Sequence, residues 1–372
     1  MIDLFKSLVD TLSAPTISFT ILTVLTPLVF PPTDGLDKIS RKLGIHLLWT
    51  KAGCIFGLFL ITFFFVVGYL DQNFNITLTK PDNFPIVLMV YSMFFFIWLA
   101  MYKAYQNDER IEQGLKPNEY NDPDDKVLVW PDLVYIEFIA LILFMVFLIV
   151  WSILVAAPLE EPANPASTPN PSKAPWYFLG LQEMLVYFDP WIAGIILPMF
   201  IIIGMMAIPY MDINKNGDGY YSFKERRIAI FIFMYGWLIL WLFLIVIGTF
   251  FRGPNWNFFG PFEYWDPHKV EALNNVNLSE YFWVKLLSTG LPENIMLRES
   301  MGFVAVFLYM FALPILLAQT WLKDLFDKHG PIRYTALMLF GLTMLALPIK
   351  MYLRWIFNLK YIIAIPEWFF NI

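Results

Sequence analysis

Residues 214–225, NKNGDGYYSFKE, have the ligand spacing of an EF-hand calcium loop. Gly219 stands at the sixth position, where such a loop turns sharply. Position 1 is Asn instead of the usual Asp and only two ligands are charged, so bound calcium would be held weakly and would be structural. A turn rich in Asn and Gly that binds no metal is the alternative interpretation. The candidate ligands are the side chains of Asn214, Asn216, Asp218, Ser222 and Glu225 and the carbonyl of Tyr220.

The chain that must position this loop is strongly apolar. Hydrophobic residues make up 58% of it and charged residues 15%, whereas about a quarter of the residues in an average soluble domain are charged. A helix needs roughly 20 consecutive apolar residues to cross the hydrocarbon layer of a membrane. All of its backbone hydrogen bonds must be satisfied internally there, because no water is present. The composition therefore predicts a multi-pass membrane protein.

Eight stretches qualify as membrane spans. The first is short and bounded by Pro15 and Pro27, so a re-entrant segment is the alternative there. Before it, Leu4, Leu8 and Leu12 alternate with polar residues and predict an amphipathic helix in the membrane interface. We therefore expect an all-α fold, a polytopic transmembrane helical bundle with interfacial helices. The predicted spans are residues 16–29, 49–70, 87–101, 133–156, 191–209, 228–251, 302–322 and 334–352.

Lysine and arginine concentrate in alternate connections between these spans. Such connections face the cytoplasm, here called the n side, and the remaining connections and both termini then face the opposite p side. We expect a location in a bacterial inner (cytoplasmic) membrane, with lipid and no nucleic acid around the chain. The n-side cations are Lys38, Arg41, Lys42, Arg110, Lys116, Lys126, Lys215, Lys224, Arg226, Arg227, Lys323, Lys328 and Arg333.

The order of spans and connections predicts three regions. Residues 1–128 hold the interfacial helix, three spans and a cytoplasmic loop. Residues 129–322 form a four-span unit with two long p-side connections, and residues 323–372 add one span and an aromatic tail. The first p-side connection has six prolines in residues 158–175 and should be extended, followed by an interfacial helix at residues 176–188. The second is either an aromatic-rich cap or a docking surface for a p-side partner.

The proline-rich connection carries a family resemblance. Residues 161–178 read EPANPASTPNPSKAPWYF, which resembles the EPADP-x-x-TP segment followed by PEWYF in the C-terminal half of cytochrome b, the part that some complexes encode as subunit IV. WPDLVYI at 130–136 is similar to the opening of that family's fifth helix, and AIPYMD at 207–212 to the end of its sixth.

The resemblance implies a haem-free subunit of a membrane quinol:cytochrome c oxidoreductase, or of one with a related acceptor. Such a chain is not active alone. It forms part of a p-side quinol oxidation site and couples electron transfer to proton release. Two alternatives remain. One is a non-catalytic scaffold of a respiratory or photosynthetic complex; the other is a transporter, against which the scarcity of buried charges argues.

The cofactors of such a complex must be shared with other chains. The resemblance implies quinone, with menaquinone as the expected species, and four axial histidines for the b haems. This chain has only His46, His268 and His329, none of them in the middle of a span, so it should bind no haem alone. The implied partners are a haem-bearing cytochrome b N-terminal-like subunit, a Rieske protein with a 2Fe–2S cluster and a c-type cytochrome. The single Cys54 excludes a cysteine-ligated cluster within this chain.

The signature segment departs from the family pattern where the chemistry lies. Aligned with PEWY, Ala174 takes the proline position and Pro175 the glutamate position, so the family's proton-accepting carboxylate is absent. The resemblance still implies that quinone contacts Pro175, Trp176, Tyr177 and Phe178. Ordinary interfacial aromatic residues are the alternative.

Quinol cannot lose its protons without an acceptor within reach. Glu183 lies eight residues after Pro175, about two turns along the same helix face, and is the first candidate; Asp189 is the second. For Glu183 the alternative is a carboxylate that faces water or headgroups. Glu137 lies about one turn inside the span 133–156 and is a candidate n-side proton or quinone contact, with a headgroup-level carboxylate as the alternative.

Overall fold

The computed structural model describes residues 2–121, 128–155, 162–271 and 274–372. Within these ranges the chain is almost entirely helical, with one short two-stranded sheet. The expected all-α fold is therefore confirmed. Lys126, Pro158 and Glu161, which entered the sequence interpretation, lie outside the described residues.

The helices follow the apolar stretches and are separated by polar connections. They are α1 (Ile2–Ser13), α2 (Pro15–Val29), α3 (Asp34–Lys42), α4 (Lys51–Leu70), α5 (Gln72–Leu78), α6 (Phe84–Glu112), α7 (Val129–Leu154), α8 (Leu179–Met184), α9 (Ile192–Met211), α10 (Lys224–Phe251), α11 (Ile295–Arg298), α12 (Ser300–Gln319) and α13 (Lys323–Phe357). Shorter helical turns are Ile45–Trp49, Asn118–Asn121, Trp176–Phe178, Pro254–Trp256, Glu280–Leu286 and Pro366–Trp368, and the antiparallel strands are β1 (Ala364–Ile365) and β2 (Phe370–Asn371).

Seven of these helices are long and apolar enough to cross a membrane, namely α4, α6, α7, α9, α10, α12 and α13. The pair α1 and α2 bends by 80° and forms either a broken span or a re-entrant segment. The multi-pass architecture is thus confirmed. One boundary differs clearly: α6 continues past the predicted end at residue 101 to Glu112, because its polar last turns bind the neighbouring connections.

The connections predicted for the n side contact one another. Asp108 in the last turns of α6 accepts hydrogen bonds from Ser222 Oγ at 2.6 Å and from the backbone N–H of Lys224 at 2.9 Å. Arg227 at the start of α10 binds Asp34 in α3. Buried polar groups must find such partners, so these contacts fix three connections at one end of the bundle.

The connections predicted for the p side also meet. Lys6 of α1 pairs with Asp71 at the start of α5, with 2.6 Å between Nζ and Oδ2. Asn73 donates to the carbonyl of Phe262, in the long loop after α10, at 3.0 Å. The amphipathic helix α1 is thereby attached to the same end of the bundle as this loop.

Helices from all three predicted regions share one core. Phe19 of α2 is fully buried, and its ring centroid lies 6.1 Å from that of Phe243 in α10 and 5.5 Å from that of Trp355 in α13. Gly57 in α4 allows a second close contact, since a Cβ atom there would lie 2.1 Å from Phe94 of α6. The division at residues 128 and 322 stays a prediction, but the helices on both sides of each boundary pack together.

The helix α7 is the exception to this packing. Every residue from 128 to 155 is exposed, and the window that qualifies it as a span has no buried residue. Trp151 stacks on Phe84 at 6.3 Å between ring centroids. In a membrane, almost the whole surface of α7 is available to lipid or to another chain.

The interfacial helix predicted for residues 176–188 is shorter in the structure. A turn at Trp176–Phe178 leads into α8, which ends at Met184. Lys360 Nζ donates to the carbonyls of Leu185 and Val186, at 3.1 and 3.0 Å. A cation from the C-terminal tail therefore satisfies carbonyls at the helix end that a longer helix would have used internally.

Candidate functional site

The short helix α8 lies against the end of α10, and two glycines permit the close approach. A Cβ atom on Gly180 would lie 3.2 Å from an α10 side chain, and one on Gly248 would lie 3.3 Å from Leu179. Glu183, one turn further along α8, is thereby brought to Arg252, the residue that follows α10.

Glu183 is fully buried, with 0% of its surface exposed. Arg252 forms hydrogen bonds to both carboxylate oxygens: its Nε donates to Oε2 at 3.0 Å and its Nη2 donates to Oε1 at 2.6 Å. Trp256 Nε1 donates to Oε2 at 3.1 Å, and the Tyr187 hydroxyl donates to Oε1 at 3.2 Å. The alternative in which Glu183 faces water or headgroups is therefore wrong.

Within this cluster, the negative charge of Glu183 is balanced by the positive charge of Arg252. Burial alone would lower the pKa of Arg252, but the charge of Glu183 and its hydrogen bonds raise that pKa above its ordinary value. Burial, and then the charge of Glu183, raise the pKa of Tyr187 well above its ordinary value. Arg252 thus remains a cation and Tyr187 remains a neutral donor.

This arrangement limits what Glu183 can do as a base. A carboxylate has about four lone-pair positions on its two oxygens, and four donors already occupy them. A substrate hydroxyl reaches an oxygen of Glu183 only after one donor has moved away. Proton acceptance by Glu183 stays a prediction, and the observed role of this side chain is to hold α8 to the loop after α10.

Lys173 lies in the signature segment beside this pair. Its Nζ donates to the carbonyl of Thr249 at 2.7 Å and lies 4.7 Å from the ring centroid of Trp265. Thr249 is in the last turn of α10, where backbone carbonyls lack helical partners. Burial, with the neighbouring charge of Lys80 next in importance, lowers the pKa of Lys173 to about 7.

Three of the four residues predicted to contact quinone, Trp176, Tyr177 and Phe178, form an aromatic patch. Trp176 is half-buried against the core, whereas Tyr177 and Phe178 are 51% and 50% exposed. The rings of Tyr177 and Phe178 are 4.7 Å apart, and Pro175 before them is exposed. The structure brings these residues together, and their contact with quinone stays a prediction.

An apolar cavity of about 360 Å³ opens between α4, α6 and α10 near the same helix end. The signature residues do not line it. Its walls are Leu60, Ile61, Phe64, Phe65, Phe74, Val90, Val246, Phe250 and Phe251.

Asp189, the second proton-acceptor candidate, is attached to the C-terminal tail. The Tyr361 hydroxyl donates to its Oδ1 at 2.9 Å. Trp191, two residues later, donates to the carbonyl of Asn371 at 3.1 Å. The tail therefore holds the segment between α8 and α9 in place, and a role for Asp189 in proton transfer stays a prediction.

Glu137 lies in α7 and is exposed. It has no hydrogen-bond or ion-pair partner among the residues that the structure describes. A carboxylate on the surface of a membrane helix is costly unless a partner or water reaches it. The predicted n-side contact of Glu137 stays a prediction.

The loop predicted to bind calcium is organised around an arginine. The guanidinium of Arg226 binds Asp212 and also Asp218, with 2.5 Å from Nη2 to Oδ1 of the latter. Its Nη2 donates to the carbonyl of Asn214 at 2.7 Å as well. Among the described residues no group of three or more His, Cys, Asp or Glu side chains is placed to hold a metal ion. The present arrangement therefore suits a guanidinium.

The other candidate calcium ligands make hydrogen bonds within the protein. The buried Ser222 donates to Asp108, and the Tyr220 hydroxyl accepts from the backbone N–H of Gly217 at 3.1 Å. Asn216 donates through its backbone to the side chain of Asn214 at 3.0 Å, and Glu225 contributes its backbone carbonyl to Asn214 at 2.8 Å. Calcium binding by residues 214–225 stays a prediction.

Sequence reasoning missed Arg252, Trp256, Tyr187 and Lys173. A signal existed for the first, because the arginine of FRGPNW stands directly after an uncharged span and a cation there needs a partner. No comparable signal marked Lys173, because a lone lysine among prolines and serines is typical of a solvated loop.

The comparison with known families covers this site. Residues 162–259 match the family described as Cytochrome b(C-terminal)/b6/petD. The matched range is about a quarter of the chain and includes Lys173, Glu183 and Arg252. It contains the AIPYMD segment and begins after WPDLVYI. No solved structure matches the chain. Residues 162–259 of this chain are therefore similar to the C-terminal segment of cytochrome b.

Proposed function

We propose that this chain is the haem-free subunit of a bc-type complex and that it helps to oxidise quinol on the p side of the membrane. The observation that carries the proposal is the match of residues 162–259, because one continuous segment holds the signature aromatics and the Glu183–Arg252 pair. Quinol oxidation releases two electrons and two protons. The electrons would pass to one-electron acceptors on partner chains, namely a 2Fe–2S cluster and a b haem.

The chain's own residues supply a shaped and largely apolar environment for such a reaction. The Glu183–Arg252 pair fixes α8 and the aromatic patch of Trp176, Tyr177 and Phe178 beside the end of α10. The adjoining apolar cavity of about 360 Å³ offers room for part of an isoprenoid tail. We propose menaquinone as the species.

The exposed helix α7 supports the proposal that haem-bearing partners dock on this chain. All of its described residues are exposed, and Glu137 has no hydrogen-bond or ion-pair partner within the described part of the chain. A partner helix that carries a basic or hydroxyl group at the depth of Glu137 would satisfy it. We propose that the cytochrome b N-terminal-like partner covers this helix.

Co-purification tests the composition of the complex. The chain would be tagged in its native membrane, extracted in mild detergent and purified, with untagged membranes as the control. We expect b and c haems in the optical spectrum and a Rieske signal in the electron paramagnetic resonance spectrum, in fixed ratio to the chain. A chain that purifies without haem b and without an iron–sulfur signal would contradict the proposal.

A non-catalytic scaffold is the second candidate function. Two observations favour it, since Pro175 replaces the family glutamate and donors occupy both oxygens of Glu183. A complex that contains the cofactors but transfers no electrons from quinol through them would support the scaffold.

A further inference from the structure

Lys173 is held in a fixed position within the signature segment. Gln182 of α8 clamps the backbone on both sides of it: its Oε1 accepts from the N–H of Ala174 and its Nε2 donates to the carbonyl of Ser172, each at 2.8 Å. The side chain itself reaches the carbonyl of Thr249 at 2.7 Å. The amine therefore lies between the signature segment and the end of α10.

The amine of Lys173 has no carboxylate within salt-bridge distance among the described residues. Its aromatic neighbour is Trp265. Burial lowers its pKa to about 7, and the nearby charges act in both directions: Lys80 and Arg252 lower the pKa, and Asp82 and Glu183 raise it. Burial therefore favours the neutral form of this amine, which can accept a proton.

The other local candidates are less available. The four donors on Glu183 occupy its oxygens, and the position of the family glutamate is Pro175, which has no side-chain acceptor. Asp189, after the end of α8, accepts a hydrogen bond from the Tyr361 hydroxyl of the C-terminal tail. We propose that Lys173 is the proton acceptor of the quinol-oxidation site, an inference that rests on the proposed function.

The proton transfer balances without any further reactant. The neutral amine of Lys173 takes the proton of a quinol hydroxyl, so that an O–H bond breaks, an N–H bond forms, and quinolate and ammonium result. The quinolate then gives its two electrons to the acceptors on the partner chains and its second proton to p-side water, which leaves quinone. The ammonium returns its proton to p-side water, which regenerates the amine and moves the proton outward.

Two substitutions distinguish proton acceptance by Lys173 from a purely structural role in attaching the signature segment to the end of α10. Lys173→Met removes the amine. Lys173→Arg keeps a donor for the Thr249 carbonyl and a cation over Trp265, but a guanidinium stays protonated. In the purified complex we expect the wild-type rate of quinol oxidation to fall below pH 7. We expect both variants to be about 10² to 10⁴-fold slower, with unchanged haem content and without that fall.

Lys269→Met is the matched control. The Nζ of Lys269 also donates to a backbone carbonyl, that of Phe258, at 2.8 Å and lies 4.5 Å from the ring centroid of Phe259, but it pairs with Glu263. We expect this variant to keep the wild-type rate and pH profile. Lys173→Arg with the wild-type rate and pH profile would overturn the inference.

A rescue variant tests the chemistry directly. Pro175→Glu places a carboxylate at the signature position. The double variant Lys173→Met/Pro175→Glu should oxidise quinol at least tenfold faster than Lys173→Met alone, and its rate should fall only at a lower pH than that of the wild type. If Pro175→Glu does not raise the rate of Lys173→Met at any pH, then loss of a proton acceptor is not the cause of the slow rate.

A measurement without quinol distinguishes this inference from the proposed function. The intact complex would be acetylated briefly with acetic anhydride at a series of pH values, and peptides would be quantified by mass spectrometry. We expect Lys173 to react with a midpoint near 7, below the midpoint of about 10.4 for a free lysine side chain in an added reference peptide. Equal midpoints would overturn the inference. A midpoint near 7 in a complex that oxidises no quinol would overturn the proposed function, and with it this role for Lys173.

Discussion

Arg252 binds both oxygens of the Glu183 carboxylate, and this pair joins α8 to the loop after α10 across 69 residues of sequence. Arg252 is 8% exposed and Glu183 is not exposed at all. A buried ion pair of this kind gains stability mainly through complete hydrogen bonding. Its principal effect here is to fix the position of the signature segment.

Glu183→Gln should destabilise the protein. The substitution leaves Arg252 buried without its counter-charge, and breaking one side of a buried pair costs about 3 to 5 kcal/mol. We expect a lower unfolding temperature of the complex in detergent, followed by tryptophan fluorescence, and partial recovery in the double variant Glu183→Gln/Arg252→Gln. Unfolding of Glu183→Gln at the wild-type temperature would show that the pair is dispensable.

Asp71 should make the attachment of α1 depend on pH. Burial opposes ionisation, but the hydrogen bond from Lys6 and the N–H groups of Phe74 and Asn73 lower the pKa of Asp71 below 3.8. The stabilisation is therefore complete above the unfolded-state pKa and is lost as the pH falls through the lower folded-state value. Asp71→Asn should destabilise the protein at pH 7 and show less further loss under acid, as measured by thermal unfolding. The same acid dependence in both proteins would exclude Asp71 as its source.

Arg226→Gln should strengthen calcium binding by residues 214–225. The guanidinium neutralises Asp212 and Asp218, and its removal frees two carboxylates for the cation. Equilibrium dialysis with radioactive Ca²⁺ should show tighter binding by Arg226→Gln than by the wild type, and Glu225→Gln should reverse the gain. Identical binding with and without Arg226 would mean that the guanidinium does not compete for this site.

The chain separated from its complex should have no b-type haem spectrum. His46 is in a short turn before α4, His268 is in the loop after α10, and His329 contacts the carbonyl of Leu325 at 3.0 Å in the first turns of α13. Three residues at such separate places do not form axial pairs. A reduced-minus-oxidised spectrum of the isolated chain with a b-type band would place haem on this polypeptide.

Hydropathy predicted most of the architecture because a span reveals itself locally through its length and composition. The helices from α4 to α13 that cross the membrane all correspond to predicted spans. The end of α8 was not predictable in this way, since it depends on Lys360, 175 residues away from Leu185.

The site was predictable only in part for the same reason. The signature motif located α8 and Glu183, but the donors that occupy Glu183 come from the loop after α10. The availability of Lys173 depends on Gln182, Thr249 and Trp265, and no local pattern reports those contacts. In the calcium motif, the spacing of the ligands was complete. Arg226, the residue after the motif, instead pairs with the candidate ligand Asp218, and the spacing does not report this contact.

The most direct test of the account is quinol-driven haem reduction in the native complex. The complex purified through this chain would be mixed anaerobically with a menaquinol analogue, and haem b absorbance would be followed by stopped flow. We expect reduction of haem b at a rate that falls below pH 7 and that decreases about 10² to 10⁴-fold in Lys173→Met. Haem b that is present but stays oxidised after addition of quinol would contradict a role for this chain in quinol oxidation.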